Sequence, residues 1–224
     1  MAKYFAGYLS PIKNKLGNAV GRRWRNIDVL AVYQPNVKNP RTTKQVVQRK
    51  RLSFTSSLAR TLNPVIAVTL ARVCAGTRTF PRAKFVALNI ANTTTTGTID
   101  QWQNVILSDG KMLNPSFATA TAGSNNDVTL SWTETSLSEI LPDADTDACK
   151  VSLAVLNPLK QQVVVSRPAA VSAENIRVVC PASWIGDTCQ CYAYTQCLGE
   201  ADLIEGIQIG DYSRNAYVGQ VSIA

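Results

Sequence analysis

The 224-residue sequence contains no histidine. That removes the commonest general base and the commonest metal ligand, and with them every Ser-His or Cys-His catalytic design. No run of 18 or more apolar residues occurs, so no segment reads as a membrane span. Residues 1–21 lack the unbroken apolar stretch of a secretory leader, because Lys13 and Lys15 sit where it would lie; Sec-dependent export is not expected. There is no Walker loop, no dinucleotide fingerprint and no nucleophile elbow. The most uneven shortage is of acid. Residues 1–84 hold a single acid, Asp28, against 17 Lys and Arg, a balance of +16. Residues 85–224 hold 14 acids against 6 bases, a balance of −8, and the two together return the net +8. Such polarity points to a polyanionic partner for the first part, or to docking of one half on the other.

What is present suits a folded chain. Apolar residues make up 46% of the sequence, enough for a buried core. The six cysteines are Cys74, Cys149, Cys180, Cys189, Cys191 and Cys197, and their spacing matches no common zinc pattern. Most fall within apolar strand patterns and read as reduced, buried, small hydrophobes, with disulfides or a metal as the alternatives. No metal site, cofactor or small-molecule substrate is expected.

Along the chain, Asn18–Arg25 and Val29–Tyr33 read as two strands turned by Asn26 to Asp28 into a hairpin. Pro35 and Pro40 keep the next stretch extended. Thr42 followed by Gln45 has the form of a capping box, so a helix is expected from there. Its stripe is Val47, Phe54, Leu58 and Leu62, with Arg51 unusually on the same face. Asn63-Pro64 is read as N-cap and first position of a second helix, running to about Ala75 and stopped by Gly76. A third helix is expected over about 81–92, and the threonine run 93–98 is read as a linker. From there the texture becomes β: Asn104–Leu107, Phe117–Ala122, Val128–Trp132, Lys150–Leu156, Gln162–Ser166, Asn175–Val179, Thr188–Gln196 and Ala216–Ile223. About eight short strands with regular turn signals describe a sandwich. The expected fold is therefore α+β: a basic N-terminal hairpin and helices over 1–97, then an all-β immunoglobulin- or fibronectin-like sandwich over 98–224.

Several stretches resemble a family of uncharacterised proteins found mainly in Bacteroidota, some of them carried by phages or mobile elements. The resemblance rests on Gly17-Asn-Ala-Val-Gly21 and on Val37-Lys-Asn-Pro-Arg-Thr42 followed by Gln45, Arg49 and Phe54. It continues in Leu107-Ser-Asp-Gly110, Leu130-Ser-Trp132, Ala154-Val-Leu-Asn-Pro158, Pro181-Ala-Ser-Trp-Ile-Gly-Asp187, Tyr192, Tyr194 and Ser213-Arg-Asn-Ala-Tyr-Val-Gly219. Similar Asn-Pro-Arg-Thr stretches occur in presumed phage structural proteins. The resemblance implies a helical or mixed N-terminal part and a β-sandwich C-terminal part, and it implies no activity and no catalytic residue.

The candidate binding residues are the cations Lys13, Lys15, Arg22, Arg23, Arg25, Lys38, Arg41, Lys44, Arg49, Lys50 and Arg51, with Trp24 and Tyr33 among them. Cations on a hairpin and a helix start suit phosphate contacts, and aromatics suit stacking on unpaired bases. The plainer reading is that this charge faces acidic protein, on the same chain or a neighbour. Asp143 to Asp147 resembles the opening of a calcium loop, but lacks the glycine and the closing acid such a loop needs, and reads as a solvated turn. Glu200, Asp202, Glu205 and Asp211 read as surface charge, and Trp132 and Trp184 as core. The expected function is non-enzymatic: a structural or assembly protein, virion-associated in a Bacteroidota phage or mobile element, forming a homo-oligomer or larger assembly. The alternative is a cellular nucleic-acid-binding module. The expected location is the cytoplasm or a virion.

Overall fold

The structure, a computed structural model, describes residues 2–4, 14–24, 27–36, 41–112, 114–133, 149–197 and 212–224. The chain divides into two compact units, residues 1–45 and 46–224.

The first unit holds an antiparallel sheet of β1 (Ala2–Tyr4), β2 (Asn14–Leu16), β3 (Ala19–Trp24) and β4 (Ile27–Val32), in the order β1-β4-β3-β2. The β2–β3 turn has two residues, and Gly17 takes its first central position with φ +58°, a conformation that costs glycine nothing. The expected hairpin is the β3–β4 pair, with Ile27 and Asp28 already in the second strand rather than in the turn. Helix α1 (Thr43–Thr61) starts at the expected capping box: the Gln45 N–H donates to Thr42 Oγ1 and the Thr42 N–H to Gln45 Oε1, both at 3.4 Å.

The second unit is layered. After α1 come α2 (Asn63–Thr69), α3 (Ala71–Cys74) and α4 (Pro81–Asn89). The strands are β5 (Ser116–Phe117), β6 (Thr121–Ala122), β7 (Asp127–Thr133), β8 (Cys149–Asn157), β9 (Gln162–Val165), β10 (Ala169–Ala170), β11 (Asn175–Val179), β12 (Thr188–Cys197) and β13 (Ala216–Ser222). One sheet runs β10-β8-β12-β13, with β9 also on β8; the other runs β11-β7-β5, with β6 also on β7. Every strand pairing is antiparallel. Val151, Leu153 and Val155 of β8 and Cys189 and Cys191 of β12 meet Leu130, Trp132, Ile176 and Val178 of the facing sheet in one core. Ala154, Leu156, Tyr192 and Tyr194 point the other way, into a second core with Leu58, Leu62, Ile66, Leu70 and Phe85 of the helices.

The α+β class is as expected, but the boundary at residue 97 is not where the chain divides. Strands β8 and β12 are apolar on both faces, so the helices cover the outer face of the sheet instead of forming a domain of their own. The threonine run is no linker: Thr93 is buried, and its Oγ1 lies 3.0 Å from that of Thr55 on α1.

Local readings hold with four changes, two of them breaks: the helix expected from Pro64 to about Ala75 parts at Leu70 into α2 and α3, and the strand expected over Phe117–Ala122 is the separate pair β5 and β6. Gly76 ends the helical run with φ +71°, and α4 begins at Pro81 as expected. The N-cap of α2, however, is Leu62, and Asn63 Oδ1 accepts instead from Arg82 Nε at 2.8 Å. The last change is at 104–107, where no strand forms. The buried, irregular chain from Val105 to Ser108 is held by side chains. Asn89 Oδ1 accepts from the Ile106 N–H (2.8 Å), and its Nδ2 donates to the Ile106 carbonyl (2.9 Å). Asn215 Oδ1 accepts from the N–H groups of Leu107 and Ser108, and its Nδ2 donates to the Val105 carbonyl. Thr69 Oγ1 donates to the Leu107 carbonyl at 2.7 Å. A ladder would otherwise have to satisfy these groups.

Candidate polyanion-binding surface

The expected cations fall into both units. Lys13, Arg25 and Lys38 lie outside the described residues. Lys15 on β2 and Arg22 on β3 are exposed. Their register partners are Val20 and Val29, and Val20 and Arg22 stand two apart on one strand, so the pleat puts both cations on one face. The same face carries Ala31 opposite Val20 and, two residues on, Tyr33, whose N–H donates to the Asn18 carbonyl at 2.7 Å. Lys15 Nζ sits 3.9 Å from the centre of the Tyr33 ring. That cation–π contact fixes the ammonium and occupies one face of the ring, so a stacking base would meet only the other face. Arg23 stands opposite Asp28 in the β3–β4 register.

Arg41 and Lys44 are exposed on either side of the capping turn of α1. The first turn of α1 holds no acid, so these cations add to the positive end of the helix dipole instead of offsetting it. In the second unit Arg49 and Lys50 are exposed on α1. Arg51 is half-buried, and its Nε donates to the Thr94 carbonyl at 3.4 Å. This accounts for a cation on the apolar stripe: the stem packs while the guanidinium reaches a backbone acceptor.

The division into units redistributes the charge. Residues 1–45 carry nine Lys and Arg against Asp28, a balance of +8, which is the whole net charge of the chain. Residues 46–224 carry 14 bases and 14 acids and are neutral. Nine of those acids belong to 134–148 and 198–211, outside the described residues, as do the calcium-like turn and the C-terminal acids singled out above.

Several other ionisable groups are engaged in structure. Asp127 meets Arg177 Nε at 2.6 Å, and that hydrogen bond holds its carboxyl below the ordinary range. Asp187 meets Lys160 Nζ and Asn157 Nδ2, each at 2.7 Å, and is lowered likewise. Cys74, Cys180, Cys189 and Cys191 are buried free thiols, as the hydrophobe reading expected, and Cys149 is buried as well. Burial pushes Cys180 up to about 11, and Cys189 and Cys191 to about 12, far from a reactive thiolate. Trp132 and Trp184 are buried, each indole N–H bonded, to the Val171 carbonyl and to Gln162 Oε1. Among the described residues no three His, Cys, Asp or Glu are grouped to hold a metal. Among the described residues of the second unit, surface clefts open in at least two places. One, of about 270 Å³, lies among Phe54, Leu58, Trp102 and Leu159, and another, of about 400 Å³, among Phe117, Tyr217 and Val218. No carboxylate, thiol or amine lines either.

The model of a family of unknown function, DUF6266, matches residues 11–206. The chain belongs to this family. The DUF6266 match takes in β2 to β4, all four helices and the strands through β12. It agrees with the resemblance to an uncharacterised family. No match is found among curated proteins or among solved structures. Among the described residues no helix is long and apolar enough to cross a membrane.

Proposed function

We propose that this DUF6266 protein is a non-enzymatic assembly protein whose basic first unit, residues 1–45, docks on nucleic-acid phosphate. The observation that carries this reading is the segregation of charge: one compact unit holds the entire +8, while the rest of the chain is internally balanced. A neutral second unit has no need of the first as a counter-charge, and that favours an external polyanion over self-neutralisation. Exposed Lys15, Arg22, Arg41 and Lys44 supply point contacts to phosphate without a base-reading motif, so the expected binding is insensitive to sequence and steep in salt. The structural engagement of Asp127, Asp187 and the buried thiols supports a role without catalysis. Placement in the virion of a Bacteroidota phage or mobile element rests on the resemblance of the Asn-Pro-Arg-Thr stretch.

The test is fluorescence anisotropy of the full chain on two unrelated DNA duplexes across a salt series. Both should bind alike, and affinity should fall steeply with salt. Replacing Lys15, Arg22, Arg41 and Lys44 together by Ala should lower the slope of log K on log salt by up to about 0.9 per lost contact. The triple change to Ala of Arg49, Lys50 and Arg60, the last an exposed residue in the final turn of α1, should leave the slope nearly unaltered. Absence of binding at low salt, or equal loss in both variants, would sink the reading.

A further inference from the structure

We propose that β9 is an interface strand: two copies of the protein join β9 to β9, antiparallel, about a two-fold axis at Val164. This deepens the assembly part of the function proposed above and rests on it.

The backbone phase identifies the free groups. The Ser166 N–H donates to the Leu153 carbonyl at 2.8 Å, and antiparallel alternation then makes Val164–Val155 and Gln162–Asn157 the bonded pairs. Val163 and Val165 therefore turn their N–H and C=O away from β8, and among the described residues nothing bonds to them. The three valines are half-buried, Val163 and Val165 against the helix-side core and Val164 against the core between the sheets. Residues 162–165 contain no charge, no proline and no register shift, the devices by which edges are usually guarded. Two other edges differ. β11 carries Arg177, held by Asp127, and on β13 the Val218 carbonyl already accepts the Ala120 N–H at 2.8 Å.

The occupant is a second copy because the edge is complementary to itself. About an axis at Val164, Val163 faces the partner's Val165 and Val165 faces the partner's Val163. Those two pairs exchange both of their bonds, and Val164 meets its own counterpart. Charge agrees with this register. Lys160 would stand opposite the partner's Pro168 and Arg167 opposite the partner's Gln161, so no like charges oppose each other, and an uncharged strand offers a charged peptide nothing. Leu159, 75% exposed at the tip of the β8–β9 turn, would face the partner's Ala169.

The experiment is analytical ultracentrifugation of nuclease-treated, full-length protein in high salt over a dilution series. A monomer–dimer equilibrium is expected. Val165→Pro removes an outward N–H and spares the bonds to β8. By symmetry it deletes two intermolecular bonds, and the dimer should weaken about 100-fold while near-ultraviolet circular dichroism is unchanged. Val179→Pro, which removes an outward N–H on the β11 edge, should leave the dimer intact. Independently, Val164→Cys should oxidise to a covalent dimer that the parent chain does not form, because a non-hydrogen-bonded antiparallel pair brings Cα atoms to about 4.5 Å, within disulfide reach. A chain that stays monomeric throughout overturns the proposal. So does a dimer that Val179→Pro dissolves and Val165→Pro does not, or a dimer that Val164→Cys fails to trap. Nucleic-acid binding by the Val165→Pro monomer separates the two ideas: its loss in every variant defeats the polyanion reading and leaves the strand interface standing.

Discussion

Asn89 offers the sharpest test of how the second unit is held together. It is fully buried at the end of α4, and both ends of its amide serve one residue, Ile106, seventeen positions on. In Asn89→Ala the Ile106 N–H and C=O lose their partners together. Each orphaned buried group costs about 1–3 kcal/mol. Ile106 is only partly buried, so the lower half of that range applies to each group, about 3 kcal/mol in all. Alanine's better helix propensity returns roughly 0.5 kcal/mol. The net expectation is a loss of about 2–3 kcal/mol, equivalent to a fall of roughly 5–10 °C in Tm for a unit of this size. Denaturant unfolding followed by the fluorescence of buried Trp132 and Trp184 reads it directly. A companion variant fixes the cause. Asn89→Asp keeps the acceptor for the Ile106 N–H but sets a buried carboxylate against the carbonyls of Ile106 and Phe85, to which Nδ2 now donates. It should be less stable than Asn89→Ala. A loss below about 0.5 kcal/mol in the alanine variant, or an aspartate variant more stable than the alanine one, would refute the clamp.

Two further outcomes follow from burial. Leu156→Ala, on the sheet face that the helices cover, should cost about 2–5 kcal/mol, measured in the same unfolding assay; a loss under about 1 kcal/mol would mean that face is not a core. The thiols of Cys189 and Cys191 are held from the ordinary 9.0 up to about 12, so the folded state keeps protons that the unfolded chain gives up. Their stabilising contribution is fully present below pH 9.0 and is lost as pH rises toward about 12; denaturant midpoints measured at pH 8, 9.5 and 10.5 should fall in that order, and less steeply in a Cys189→Ala, Cys191→Ala double variant.

Local chemistry carried most of the sequence reading. The capping pair Thr42 and Gln45, the stop at Gly76, the start at Pro81 and the strand Asn175–Val179 depend on residues close in the chain, and each is where the pattern puts it. The larger errors come from contact across long separations. Val105-Ile-Leu107 is apolar enough for a strand, but its backbone is satisfied by Asn89 and by Asn215, the latter more than a hundred residues away, and no periodicity encodes that. Asn63 has the residue type of a cap, yet the chain passes from α1 into α2 almost without leaving helical geometry, as the Leu62 N–H bond to Leu58 shows. One long-range signal does lie in the sequence. Val151-Ser-Leu-Ala-Val-Leu156 does not alternate, and a strand without alternation is buried on both faces. That alone argues for a third layer, and the only unassigned apolar elements available to form it were the helices. For the cations, sequence identified the charge but not its partition. The polarity measured across residue 84 dissolves once 46–84 and 85–224 share a compact unit, and what survives is the +8 of residues 1–45.

That partition bears on assembly. Pairing through β9 uses backbone groups and valines and gains nothing from charge, so it is favoured at any ionic strength by the same contacts. The second copy nevertheless brings another +8, and self-repulsion between the like-charged subunits opposes pairing wherever salt does not screen it. A polyanion removes that opposition by replacing subunit–subunit repulsion with contacts to a shared strand of phosphates. By linkage, whatever free energy nucleic acid adds to pairing, pairing must add to the binding of nucleic acid. Taken together, the two proposals describe a neutral lateral contact and a segregated basic unit that would make a dimer weak by itself and strengthened on its polyanion, the behaviour required of a protein that pairs only where nucleic acid is present.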